Sequence, residues 1–244
     1  MKRLCATLLV LAACDKPPAP TPPPNVNNGA PADPVTPGQA QAVDDLKDKW
    51  SFKEGSWVEL RITEQTPRGQ QTYNQKNTIK KLTDDKVTIL TQEQGAGQAE
   101  KELPLKPEMK KAGTETLDVD GKSFACAIWE KIETVGAGKE TMKLWVCKDA
   151  PGRIVKQEHT TKTGDKETSG SGTLKKLGQR LTIGTHTVTY AIFEYKETGG
   201  DAELTITQWA SDQVPGFVVK EERREKSGKL EVLRMKELVD FEVK

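Results

Sequence analysis

The chain has 244 residues, with 37 Lys and Arg against 36 Asp and Glu, 34% hydrophobic residues and only 5% aromatic ones. Near-neutral charge and scarce aromatics argue against a nucleic-acid surface, since basic clusters such as Lys110-Lys111, Lys175-Lys176 and Arg223-Arg224 are dispersed among acidic residues. No segment approaches the roughly 20 consecutive apolar residues that a membrane-spanning helix requires.

At the start of the chain, Lys2 and Arg3 precede an apolar run from Leu4 to Leu11, and Ala12 and Ala13 follow, which is the form of an export signal over residues 1–13. Leu11-Ala12-Ala13-Cys14 resembles the lipobox of bacterial lipoproteins. That resemblance implies diacylation of the Cys14 sulfur, cleavage before it and acylation of the new amino group. It also implies a lipid-anchored protein of the bacterial cell envelope, with inner and outer membrane both open. Lipid alone would hold it there, at about 0.8 kcal/mol per buried methylene, so several acyl chains give a stable anchor. Removal of Lys2 and Arg3 would leave 35 basic against 36 acidic residues.

Residues 14–49 read as the lipidated cysteine and a disordered tether. Pro17-Pro18 and Pro22-Pro23-Pro24 favour polyproline II, and large apolar side chains are nearly absent to Ala42. Fully extended at about 3.1 Å per residue, such a segment would reach roughly 80 to 90 Å from the bilayer.

Residues 50–244 are expected to form a β domain of three units, 50–112, 113–177 and 178–244. In the first, Val58-Leu60-Ile62 alternates with polar residues, and Tyr73 to Leu82, Lys86 to Gln92 and Glu100 to Leu105 follow at turn-separated spacing. The other two are copies of one unit. Sliding Thr114 to Glu158 by 64 positions lays it without a gap on Gly178 to Glu222, and 14 of the 45 pairs are identical. Chance would give about three. Such repetition points to one supersecondary unit used twice.

Within the first copy, Lys122 to Ile132 and Thr141 to Cys147 read as strands joined through Gly136 and Gly138. A hairpin turning between Gly136 and Ala137 sets Cys126 opposite Cys147, Ile128 opposite Trp145 and Trp129 opposite Leu144. A disulfide between Cys126 and Cys147 is therefore expected in an oxidising compartment. The equivalent hairpin of the second copy sets Ile192 opposite Trp209 and Tyr190 opposite Ser211. Trp129, Leu144, Phe193 and Ile206 then make a candidate apolar ligand surface. Each hairpin is followed by Pro151-Gly152 or Pro215-Gly216, a type II turn signature. The sum is an all-β domain of about 11–12 antiparallel strands in a curved, barrel-like meander built from four-strand repeats.

The stretches Trp145 to Lys156 and Trp209 to Lys220, a Trp followed by Pro-Gly and Val-Lys, resemble repeats in uncharacterised bacterial envelope proteins. The strand count is similar to the open β-barrel of periplasmic lipoprotein carriers and their receptors, which implies an apolar concavity for acyl chains. Chemistry-bearing motifs are not found. His159 and His186 occupy non-equivalent repeat positions and read as surface strand residues, Ser169 to Gly172 as a turn, and Asp118 and Asp120 as an edge strand beside Gly121. No catalytic residue, metal ligand or cofactor is expected. The function expected is that of a non-catalytic, membrane-anchored envelope lipoprotein with a structural or binding β domain of unknown ligand, its candidate partners being the membrane, a hydrophobic ligand or an envelope protein, with a carrier or receptor for lipids or acylated proteins as the alternative.

Overall fold

Period-two alternation runs through most of the chain, and it is strongest where one strand face must be buried. From Phe193 to Glu197, the odd-numbered residues are buried and Glu194 and Lys196 are exposed. In the computed structural model, which describes residues 52–83, 86–104, 109–135 and 138–244, this pattern produces antiparallel sheet throughout. The expected signal segment and the whole of the 14–49 tether, Cys14 included, lie outside the described residues, as does the 136–137 turn.

The strands are β1 (Trp57–Thr66), β2 (Gly69–Leu82), β3 (Lys86–Glu93), β4 (Gly97–Pro104), β5 (Lys110–Val119), β6 (Lys122–Val135) and β7 (Gly138–Val146). They continue as β8 (Ile154–Thr163), β9 (Lys166–Ile183), β10 (His186–Gly199), β11 (Ala202–Ala210), β12 (Val218–Ser227) and β13 (Leu230–Glu242). All thirteen belong to one sheet, in the order β4-β3-β2-β1-β13-β12-β11-β10-β9-β8-β7-β6-β5. Every neighbour is a chain neighbour except β1 and β13. The sheet curves as the meander was expected to, but it is not closed into a barrel: β4 and β5 are its two edges. Exposed Lys110 and Lys111 on β5 and Pro104 at the end of β4 are residues that discourage strand pairing at such edges.

The repeat recurs strand for strand. The bounds of β6, β7 and β8 reappear 64 positions later in β10, β11 and β12. The hairpin registers match the expected ones, with Ile128 opposite Trp145, Trp129 opposite Leu144, and Ile192 opposite Trp209. Thirteen strands rather than eleven or twelve are present because β5 precedes the first hairpin; its equivalent in the second copy adds no further strand, being fused into β9, which runs unbroken through the junction between copies. At that junction β9 bulges opposite Ala191, with Gly178 at φ 65°, the positive φ that glycine supplies in a bulge.

Ser169 to Gly172, expected as a turn, lies inside β9. The glycines are there for a cross-strand reason. Gly172 pairs with Tyr195 and Gly170 with Glu197, and the side chains of β10 lean over the space the glycines leave. A Cβ on Gly170 would fall 2.2 Å from the Tyr195 hydroxyl, and one on Gly172 2.7 Å from the Phe193 ring.

A Gly172→Ala substitution is accordingly expected to destabilise the domain by about 1–3 kcal/mol through overpacking. Ser171→Ala, on the exposed face, should stay within about 0.5 kcal/mol. Urea denaturation of both variants checks the difference, and equal effects would refute the close-approach account.

Candidate functional site

The two Pro-Gly loops are the most irregular parts of the described structure, and they are built alike. In the first, the Cys147 N–H donates to the Arg153 carbonyl and the Arg153 N–H to the Ala150 carbonyl, both at 2.8 Å; in the second, Ser211 with Phe217 and Phe217 with Val214 repeat both bonds at 2.8 Å. Gly152 and Gly216 have φ of 67° and 79°, as the turn signature requires, but Arg153 and Phe217 after them are also left-handed, at 61° and 64°. A non-glycine residue held there costs on the order of 1–3 kcal/mol. Burial offsets the cost, since both side chains are nearly inaccessible. Phe217 packs edge-on against Phe52, ring centroids 5.5 Å apart. The Gly152 N–H donates to Asp212 Oδ1 at 2.9 Å, so the first loop docks on the second, and the second on the first unit.

Beneath each loop lies a cavity on the inner face. The first, against Pro151, Ile154, Phe193 and Gln208, has a volume of about 20 Å³. That is room for about one water molecule, next to a Gln208 Nε2 that lacks a hydrogen-bond partner among the described residues. The second, against Pro215, Val218, Leu60 and Ile89, has about 150 Å³. Ile154 and Val218 are equivalent repeat positions, so the two cavities are versions of one feature.

The structure brings Trp129, Leu144, Phe193 and Ile206 together, but in the main core rather than on an accessible surface. Leu144 is 2% exposed, Phe193 5% and Ile206 2%, while Trp129 packs against them partly buried. The expectation of an apolar ligand surface is therefore corrected for these four residues. They fill the space between the sheet's own strands, because a helix-free domain has no other layer to bury.

Cys126 and Cys147 adjoin the last bridge of the β6–β7 ladder, and the structure holds them as free, buried thiols rather than as the expected disulfide. The Cys126 thiol donates to the Phe124 carbonyl at 3.5 Å, and the closeness of the two sulfurs raises the proton affinity of Cys126 and lowers that of Cys147, which the backbone N–H groups of Asp149 and Ala150 also lower.

His159, expected at the surface, is 8% exposed. Its Nδ1 lies 3.1 Å from Glu197 Oε2 and its Nε2 3.1 Å from Glu140 Oε1, with Thr161 Oγ1 at 3.3 Å. The Tyr195 hydroxyl donates to the same Glu197 oxygen at 2.5 Å. The hydrogen bond with Glu197 raises the His159 pKa against the opposing effect of burial, and the bond from His159 lowers that of Glu197. Burial raises the Tyr195 phenol. All of the hydrogen-bonding capacity of the ring is spent inside the cluster.

No protein-family model matches the chain, and no curated protein does. Among solved structures, a crystal structure of MucB in complex with MucA(peri) is similar over 77% of this chain and 89% of that chain, at 9% identity and a TM-score of 0.19. A likeness that faint leaves the site to be read from its own residues.

Two features escaped the sequence. The His159 cluster joins β7, β8 and β10, and its only local signal was the Gly-x-Gly of β9 opposite an aromatic pair. The left-handed Arg153 and Phe217 were signalled only by a bulky residue after Pro-Gly in both copies. Phe217→Ala should lower stability by about 3–5 kcal/mol, read as a reduced urea midpoint. An effect below about 1 kcal/mol would mean that this contact does not hold the loop.

Proposed function

We propose that this chain is a lipid-anchored protein of the bacterial cell envelope whose β domain is a non-catalytic binding or structural scaffold. The envelope assignment rests on the signal-like residues 1–13 and the lipobox ending at Cys14. The scaffold assignment is supported by one observation above others: the inner face is filled by its own side chains. Leu144, Phe193 and Ile206 are core, and His159, Glu140 and Glu197 bond to one another.

Beneath the two loops the domain encloses about 20 and 150 Å³, less than the roughly 300–1,000 Å³ of ligand pockets, and its larger hollows, about 440 Å³ along Glu158, Gly170 and Lys196 and about 370 Å³ along Leu181, Val219 and Leu238, are more open to solvent. An envelope protein docking on the outside of the sheet therefore fits better than a lipid carried within it. Native mass spectrometry of the lipidated chain extracted from its own membrane tests the choice. A protein partner of defined mass supports the scaffold, and a stoichiometric lipid beyond the covalent anchor overturns it.

Cys126 and Cys147, adjacent and buried, are in this reading joined as a disulfide once exported. Closing a loop of that length should add about 3 kcal/mol of stability. Protein from the envelope, denatured without reductant, should resist alkylation at both positions, and labelling at either would refute the bridge. Separately, a Cys14→Ser variant is expected to leave the membrane fraction, and its continued sedimentation with membranes would rule out the lipid anchor.

A further inference from the structure

We propose that His159 is a proton-dependent clasp: protonated and held between Glu140 on β7 and Glu197 on β10, it ties the first repeat to the second across β9, and it releases one of those ties when it loses its proton.

The geometry carries this. Both ring nitrogens face carboxylate oxygens at 3.1 Å. Carboxylates accept and do not donate when ionised, so satisfying both requires an N–H on each nitrogen, which only the imidazolium has. A neutral ring can donate to one glutamate and must turn a lone pair toward the other. The clasp also crosses a strand. His159 and Glu197 both pair with Gly170 of β9, one from each side. With no side chain at that position, β8 and β10 touch directly over the intervening strand.

The surroundings set the sign. From β7 the ring meets Glu140, from its own strand Thr161, from β10 Glu197, and Tyr195 completes the Glu197 oxygen. β9 offers Gly170, and β11 places Ile206 and Leu204 opposite Tyr195 and Glu197. From β12 the charge of Arg223 acts on Glu197, while its Nε is held by Glu225 at 2.6 Å. Two carboxylates adjoin one imidazole, so the charged ring is favoured, in keeping with its raised pKa. The clasp contributes fully below the usual histidine range of about 6.5 and is lost as pH rises through the higher folded-state value. At the acid end, the bond from His159 holds the Glu197 carboxyl below its ordinary value, so that tie persists to below the usual carboxylate range.

The repeat supplies an internal comparison. Position 159 of the first copy corresponds to Arg223 in the second, a permanent cation in the same place. At this position only the first copy carries a side chain that can lose its charge in this range.

The test uses the chain's two histidines. In NMR titration of the intact native protein, His159 should titrate above the ordinary histidine value of about 6.5, with His186→Gln assigning the two histidine signals. Thermal melts of the native protein should fall across the His159 titration, and His159→Gln should flatten that fall while unfolding at a lower temperature near pH 6. A His159 titration at or below about 6.5 would overturn the proposal, as would a His159→Gln variant that keeps the native pH slope. Because the titration needs no variant at position 159, a failure of that variant to fold leaves the proposal open to refutation.

Discussion

A wide sheet without helices has to bury its apolar face against itself, and the rest of this structure follows from that constraint. Every strand but the two edges, β4 and β5, has two neighbours, and these are near in sequence except where β1 meets β13. Curvature then brings side chains from separated strands together. Leu144 from β7, Leu174 from β9, Phe193 from β10 and Ile206 from β11 share one cluster. Side chains that large can converge over a tightly curved sheet only if some positions beneath them are empty. Gly170 and Gly172 are those positions, and the strand that carries them is the one through which the two repeats join.

The Pro-Gly loops solve the complementary problem of covering the inner face where strands diverge. A residue in the left-handed region directs its side chain in a direction that a regular turn does not reach. Arg153 and Phe217 use it to enter the interior, Phe217 against Phe52 of the first unit. The strain is local and the gain is a contact between units distant in sequence. Identical backbone hydrogen bonds in the two loops mean that this geometry belongs to the repeated unit, and the residue after the glycine decides what each loop grips.

What the sequence made legible was whatever depends on period, spacing and self-similarity. The hairpin registers could be written residue by residue because a two-residue side-chain period leaves no intermediate setting once the turn is placed. The Pro-Gly turns were legible because those residues have few conformations. Three-strand relationships were not. His159 read as a surface residue because its partners, Glu140 and Glu197, lie 19 and 38 positions away, and no local pattern marks a carboxylate on the next strand but one. Ser169 to Gly172 read as a turn because glycine weakens a strand in isolation; here an aromatic residue on the neighbouring strand occupies the space. The apolar quartet was grouped correctly but assigned to a surface, since alternation tells which residues share a face and not whether that face is covered.

The differences between the two copies carry more functional information than their shared residues. Shared positions, among them Trp145 and Trp209 with Lys156 and Lys220 stacked over them at 4.2 and 5.3 Å, maintain the unit. At Cys126 and Cys147 the second copy has Tyr190 and Ser211, and at His159 it has Arg223. At these positions, then, only the first copy has thiols and an imidazole, with His159 bonded across to Glu197 of the second copy and Cys147 leading into the loop that docks on Asp212. If the repeats had diverged only by drift, such groups would be expected to scatter over exposed positions, where substitution is cheapest. Instead they are among the most buried polar and sulfur-bearing side chains of the domain, 0% exposed at Cys126, 3% at Cys147 and 8% at His159. A buried ionisable group is costly unless its partners are retained with it. That cost binds Glu140, Glu197, Tyr195 and Gly170 to His159 as one physical set, and it makes the junction between repeats the place where a proton can act on the fold.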